Sequence, residues 1–179
     1  MQEKTKMNVR IRKFTKDDIP LKVKWINDER NNQFLHYDLP LTVEKTEKWF
    51  ESHIGDKSRF DATIEADEKP CGTIGLLAID RKNGKAEYYI ALGEPDTKGK
   101  GIALKASELL LEYAFQYLNL HRIYLYTETE NLQAQYLFEK IGFVKEGYLK
   151  DDILSHGKYV DRYIYGICKA DYLRIYKNA

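Results

Sequence analysis

The chain of 179 residues is poor in cysteine and proline and has no charge excess of either sign. Its two cysteines, Cys71 and Cys168, have no CxxC spacing, which excludes a disulfide framework and a cysteine zinc site and suits a reducing cytoplasm. The 4 prolines and 11 glycines form no linker tract. Lys and Arg number 29 against 28 Asp and Glu, whereas a protein that lives on phosphate contacts along a nucleic acid carries a basic excess. No run approaches the roughly 18 apolar residues of a membrane span, and the polar stretch Met1–Asn8 lacks the apolar centre of a signal peptide. His36, His53, His121 and His156 are dispersed, without metal-ligand spacing. The expectation is a cytoplasmic protein that binds no nucleic acid, membrane or metal.

Aromatics at 13% and hydrophobics at 43% are enough for one core, and no internal repeat divides the chain. Val9, Ile11 and Phe14 alternate with basic residues as a first strand. Thr15, with Asp17 and Asp18 behind it, opens a helix that carries Trp25 and Ile26 and ends near Asn27. Thr42 caps a second helix with Val43, Thr46, Trp49, Phe50 and Ile54 at helical spacing. Residues 60–66, 71–80 and 85–92 then read as a three-stranded meander with Asn83-Gly84 as a hairpin signal. A long helix follows, with Ile102, Ala106, Leu109, Leu110, Tyr113 and Tyr117 on one face. A strand over 122–127, a helix from Asn131 to Ile141 stopped by Gly142, and a hairpin over 143–154 and 158–168 complete the order. The segment 170–176 is a polar-aromatic tail for which a helix is one option. The fold class is α/β, a mixed sheet with one right-handed crossover in its middle.

Lys98-Gly99-Lys100-Gly101-Ile102-Ala103 joins a strand to that amphipathic helix. The helix's first amides lack intrahelical partners, its dipole adds positive charge, and the glycines admit a ligand to the backbone, as a diphosphate requires. A plain glycine turn flanked by solvated lysines reads equally from spacing. The GxxxxGK[ST] phosphate loop is absent, because Leu104 precedes Lys105. The dinucleotide GxGxxG fails at Leu104, although Glu128 on the next strand imitates the ribose-binding acid of that fold.

This loop resembles the (Arg/Gln)-x-x-Gly-x-(Gly/Ala) loop of the GCN5-related N-acetyltransferases, with Lys98 where the family prefers Arg or Gln. The segment Asn131-Leu-Gln-Ala134-Gln-Tyr-Leu-Phe138-Glu-Lys140-Ile-Gly142-Phe143 is similar to the family's second motif, Asn-x-x-Ala-x-x-x-Tyr-x-x-x-Gly-Phe. Lys24-Trp25-Ile26-Asn27-Asp28 and Gly157-Lys158-Tyr159-Val160-Asp161 resemble the branch acting on ribosomal proteins, polyamines and amino-sugar nucleotides. The resemblance covers residues 8–169, between a flexible segment 1–7 and the tail 170–179.

The resemblance implies a mostly antiparallel sheet flanked by helices, with its single βαβ crossover at the cofactor site. It implies transfer of an acetyl group from acetyl-CoA to a primary amine of a small molecule or a protein N-terminus, and a homodimer. Ile90, Ala91 and Leu92 would lie along the pantetheine arm. Lys98, Gly99, Lys100, Gly101, Ile102 and Ala103 would receive the diphosphate. Asn131 and Lys140 would lie beside the rest of CoA, although Asn131 also reads as a simple helix cap. Glu87 is the candidate general base, unless Tyr88 takes its place or Glu87 is only a solvated strand residue. Phe138 replaces the family's usual tyrosine acid, which leaves Tyr136 or water to substitute, or marks a CoA-binding module without turnover. Trp25, Asn27, Glu29, Arg30, Tyr37, Tyr159 and Tyr163 are expected around the acceptor, and each of them also serves packing.

Overall fold

Alternation along the strands lays down two unlike faces, and each gathers its own helices. The computed structural model describes residues 7–177. The N-terminal segment expected at 1–7 lies outside these, Met7 excepted, as do the last two residues of the tail.

Strands β1 (Val9–Lys13), β2 (Phe60–Ala66), β3 (Lys69–Asp80), β4 (Lys85–Leu92), β5 (Arg122–Glu128), β6 (Val144–Ser155) and β7 (Lys158–Cys168) form one sheet of order β1-β2-β3-β4-β5-β7-β6. Every neighbouring pair is antiparallel except β4 and β5. Two hairpins close through residue pairs with positive φ, Asp67-Glu68 and His156-Gly157, the two-residue turns whose twist matches that of the strands.

Ile64, Ile74, Leu76, Ala86, Tyr88, Ile123, Leu125 and Tyr165 are buried on one face. They pack against α4 (Ile102–Glu112), α5 (Leu132–Ile141) and α6 (Lys169–Tyr176) through Ile102, Ala106, Leu110, Phe138, Ile141 and Tyr172. The other face lies on the side of α1 (Ile19–Asn27), α2 (Glu29–Asn32) and α3 (Val43–Ser52). There Phe14, Ile19, Trp25 and Ile26 are buried.

One expectation is refined and two change. The stretch after residue 169 takes the helical option: α6 docks, with Tyr172 against Phe115 at 5.0 Å between ring centroids. The expected apolar stripe on the long helix breaks at its end. A π-turn over Tyr113–Tyr117, closed by Leu118 N–H donating to Tyr113 C=O, inserts one residue per turn and rotates Tyr117 into solvent. Ala114 and Phe115 are buried instead. On α3, Thr46 is buried and Val43 exposed, and Ile54, expected on the same helix, lies exposed in the turn beyond its end.

A lysine that periodicity marks as polar also goes inside. Lys22 is 8% exposed, and its ammonium lies 3.8 Å from the Trp49 ring centroid with Phe14 and Tyr37 around it. Burial lowers its pKa from 10.5 to about 8, against the opposing charge of Asp61. Between those values the unfolded chain holds a proton that the folded chain has released, so stability rises with pH across that window. Lys22→Met therefore melts above the parent at pH 7 and loses that advantage towards pH 10, read by thermal melts across this range.

Candidate active site

The parallel pair is short. Its register runs Lys85↔Arg122, Ala86↔Ile123, Glu87↔Tyr124 and stops. Beyond it β4 stays paired with β3 as far as Leu92, and β5 with β7 as far as Glu128. The two strands thus diverge after Glu87, leaving the β5-facing backbone edge of Tyr88–Leu92 outside the ladder. Ile90, Ala91 and Leu92 line this split, half-buried.

The chain leaves β4 through a 3-10 turn, Pro95–Thr97, and reaches α4 through two glycines in the left-handed region. Gly99 has φ +74° and Gly101 φ +77°, and a Cβ at either would face open space. Gly101 is the N-cap of α4, with no side-chain cap and no acid in the first turn. Three other helices carry side-chain caps, α5 with Asn131 Oδ1 accepting from Ala134 N–H at 3.2 Å and α3 with Thr42 Oγ1 accepting from Lys45 N–H at 3.2 Å among them, whereas α1 and α6 lack one as α4 does. The α4 start is therefore a set of outward amides at a positive dipole end, with exposed Lys100 beside it. Such a cradle fits a diphosphate, and the adjacent split fits the arm of an elongated ligand.

Lys98 has another job. Its ammonium donates to Asn31 Oδ1 at 3.1 Å and to Arg30 C=O at 3.4 Å, so it ties the loop to α2. Asn31 Nδ2 in turn donates to Gly93 C=O at 2.9 Å and to Trp25 C=O at 3.2 Å. Trp25 is likewise a support: it is buried, and its Nε1–H donates to Glu94 Oε1 at 2.7 Å. Gly93 lies flat on its indole, where a Cβ would sit 2.0 Å from Trp25 Cγ. Gly93→Ala should therefore cost about 3 kcal/mol through overpacking and lower the melting temperature by roughly 10 °C, with acetyl-CoA affinity falling alongside.

On β4, Tyr88 faces α4 and α5: it is buried, with its hydroxyl 2.7 Å from Ser107 Oγ and its ring against Phe138 and Phe143. Glu87 points to the opposite face, the side of Tyr124 and Tyr126. Burial raises its carboxyl pKa, opposed by the charge of Arg162. The one register shift between β3 and β4 falls between Leu77 and Asp80 and leaves the pairing from Glu87 to Leu92 regular. Cys71 is no nucleophile, since burial pushes its thiol up to about 11.

Several expected residues stand apart from this centre. Tyr136 is 68% exposed, its ring 5.8 Å from Lys140 Nζ on the outer side of α5. Two helical residues before Phe138, it lies on the other side of the helix from it. Asn27 clamps the backbone of Leu41, donating to its C=O and accepting from its N–H, each at 2.8 Å. Glu29 and Arg30 are exposed on α2, with Arg30 paired to Asp28. Tyr37 lies over Lys22, Tyr159 is exposed near the β6–β7 turn, and Tyr163 packs under Lys145.

Sequence reasoning missed Arg162 and the pair His36 Nε2 to Glu128 Oε1, 2.6 Å apart. The signal was the period of two along β5, which puts Glu128 on the same side as Tyr124 and Tyr126. Among the described residues no helix is long and apolar enough to cross a membrane, and no group of three or more His, Cys, Asp or Glu could hold a metal.

The acetyltransferase (GNAT) domain family matches residues 8–144. A spermidine N(1)-acetyltransferase of Vibrio cholerae serotype O1 is 33% identical over 138 residues, 76% of this chain and 79% of that protein. A putative ribosomal N-acetyltransferase, YdaF of Bacillus subtilis, is 33% identical over 119 residues, 65% of this chain and 63% of that one. The crystal structure of the Vibrio cholerae spermidine N-acetyltransferase in complex with CoA and spermine superposes with a TM-score of 0.87 at 28% identity, covering 92% of this chain and 98% of the other.

Proposed function

Since the chain belongs to the GNAT acetyltransferase family and is an acetyl-CoA-dependent N-acetyltransferase, we propose that its acceptor is a polyamine and that Glu87 is the general base. The observation that carries this reading is the acid and aromatic row of Glu87, Tyr124, Tyr126 and Glu128 along one face beside the β4–β5 split. It is supported by the spermidine acetyltransferases among the relatives.

The reaction joins a neutral amine to the thioester carbonyl and releases the thiol. An alkylamine has a pKa of about 10.4, so holding it neutral at pH 7 costs roughly 5 kcal/mol. Glu87 takes that proton, directly or through water, and a positioned base contributes a factor of about 10²–10⁴. The amides from Gly99 to Ala103 and Lys100 hold the diphosphate, and Ile90, Ala91 and Leu92 orient the thioester arm by backbone contacts. With Phe138 in the acid's usual place, orientation of the reactants carries the leaving-group side, since a thiolate departs readily. Asn131 borders the arm of CoA and Lys140 its far end. The enzyme works in the cytoplasm, where Cys71 and Cys168 stay reduced, and as a homodimer.

Thiol release from acetyl-CoA tests the acceptor class against spermidine, spermine, an amino-sugar nucleotide, an aminoglycoside and short peptides. Spermidine and spermine should give a kcat/KM at least tenfold above every other amine. A faster peptide or sugar nucleotide overturns the polyamine reading.

A further inference from the structure

We propose that Glu128 anchors the distal ammonium of the acceptor, so that this one carboxylate sets the acceptor's length; the inference rests on the polyamine reading. In a ladder, paired residues point to the same face, and residues two apart on one strand share it. Glu87 pairs with Tyr124, so Glu87, Tyr126 and Glu128 share one face. Glu128 stands four residues beyond the Glu87 pairing, about 13 Å along the strand. An extended spermidine places its terminal nitrogens about 11 Å apart in a staggered chain, against about 6 Å for putrescine. The longer amine reaches Glu128 from Glu87 and the shorter one does not.

The carboxylate is prepared for a cation. Glu128 is 8% exposed. Oε1 is held by His36 at 2.6 Å, from the loop between α2 and α3, and the Glu128 backbone C=O accepts from Asn131 N–H at 3.0 Å. Oε2 has no hydrogen bond among the described residues. Glu128 lines a cavity of about 300 Å³ together with Phe34, Glu130, Ser155, His156 and Lys158.

The cation placed to neutralise Glu128 is engaged elsewhere. Arg162 is its cross-strand partner on β7. The Arg162 guanidinium is instead paired with Asp152 at 2.5 Å and stacked 4.5 Å over the Tyr126 ring. A half-satisfied carboxylate at the wall of a cavity, passed over by the nearest arginine, has the chemistry of an ammonium site.

Glu128→Gln tests this by thiol release with spermidine and putrescine. The ratio of kcat/KM for spermidine to that for putrescine should fall at least tenfold, carried by the KM for spermidine. Glu128→Asp, which keeps the charge, should hold the ratio within threefold of the parent. An equal loss for both amines in Glu128→Gln, or an unchanged ratio, overturns the anchor. The same holds if both variants fail together, which marks a structural role for the His36 contact. A parent that acetylates other amines and no polyamine overturns the polyamine reading, and the anchor with it.

Discussion

Gly101→Glu raises the KM for acetyl-CoA at least a hundredfold while the protein stays folded. The substitution separates binding from stability because of where the glycine lies. Its φ of +77° makes any side chain strained, at a cost of about 1–2 kcal/mol. Its Cβ meets nothing within 4 Å, so no steric penalty is added. A carboxylate at the N-cap of α4 even favours the helix dipole. The same negative charge and bulk then stand where the diphosphate must come. Gly55 supplies the control: its φ is +80° and its Cβ position is equally open. Gly55→Glu carries the same backbone strain on the turn after α3 and should leave the KM for acetyl-CoA within twofold. Equal losses from both substitutions would move the diphosphate away from α4.

Glu87→Gln loses activity and gains stability together. With the proposed base removed, kcat at pH 7 should fall by about 10²–10⁴. The gap closes above pH 10, where the amine loses its proton to solvent. Stability moves the other way. Burial raises the folded carboxyl above its ordinary value of 4.5. Between those two values the folded state holds a proton that the unfolded chain has released, so stability falls as pH rises through that window. Above that window the parent bears the cost of a half-buried carboxylate, which the amide relieves. Glu87→Gln should thus melt above the parent at pH 7 and level with it near pH 4. A variant less stable than the parent and unaltered in rate would make Glu87 a structural residue.

The features legible in the sequence are those fixed by neighbours a few positions away. Asn131 caps α5 and Gly142 ends it because both roles depend on the local backbone, and the Gly99-Lys100-Gly101 turn needs φ values that only glycine adopts easily. The seven strands follow the same way, since hairpin turns declare themselves locally. The losses come from distance. His36 and Glu128 meet across 92 positions, and Lys98 finds Asn31 across 67, so neither pair leaves a periodic trace. Trp25 and Asn27, expected near the acceptor, hydrogen-bond Glu94 and Leu41, 69 and 14 positions further along the chain. Lys22 contradicts its polar type because three aromatic rings surround its ammonium. Tyr136 was placed by its chemistry, and the helical period sets it on the outer side of α5 instead.

The bonds that Asn31 makes to Gly93, Trp25 and Lys98 have a kinetic consequence for the α4 cradle. A binding surface braced from behind is already ordered when its ligand arrives, so little conformational freedom is lost at that moment. At the cradle proposed for the diphosphate, capture of the co-substrate should then proceed without a slow rearrangement.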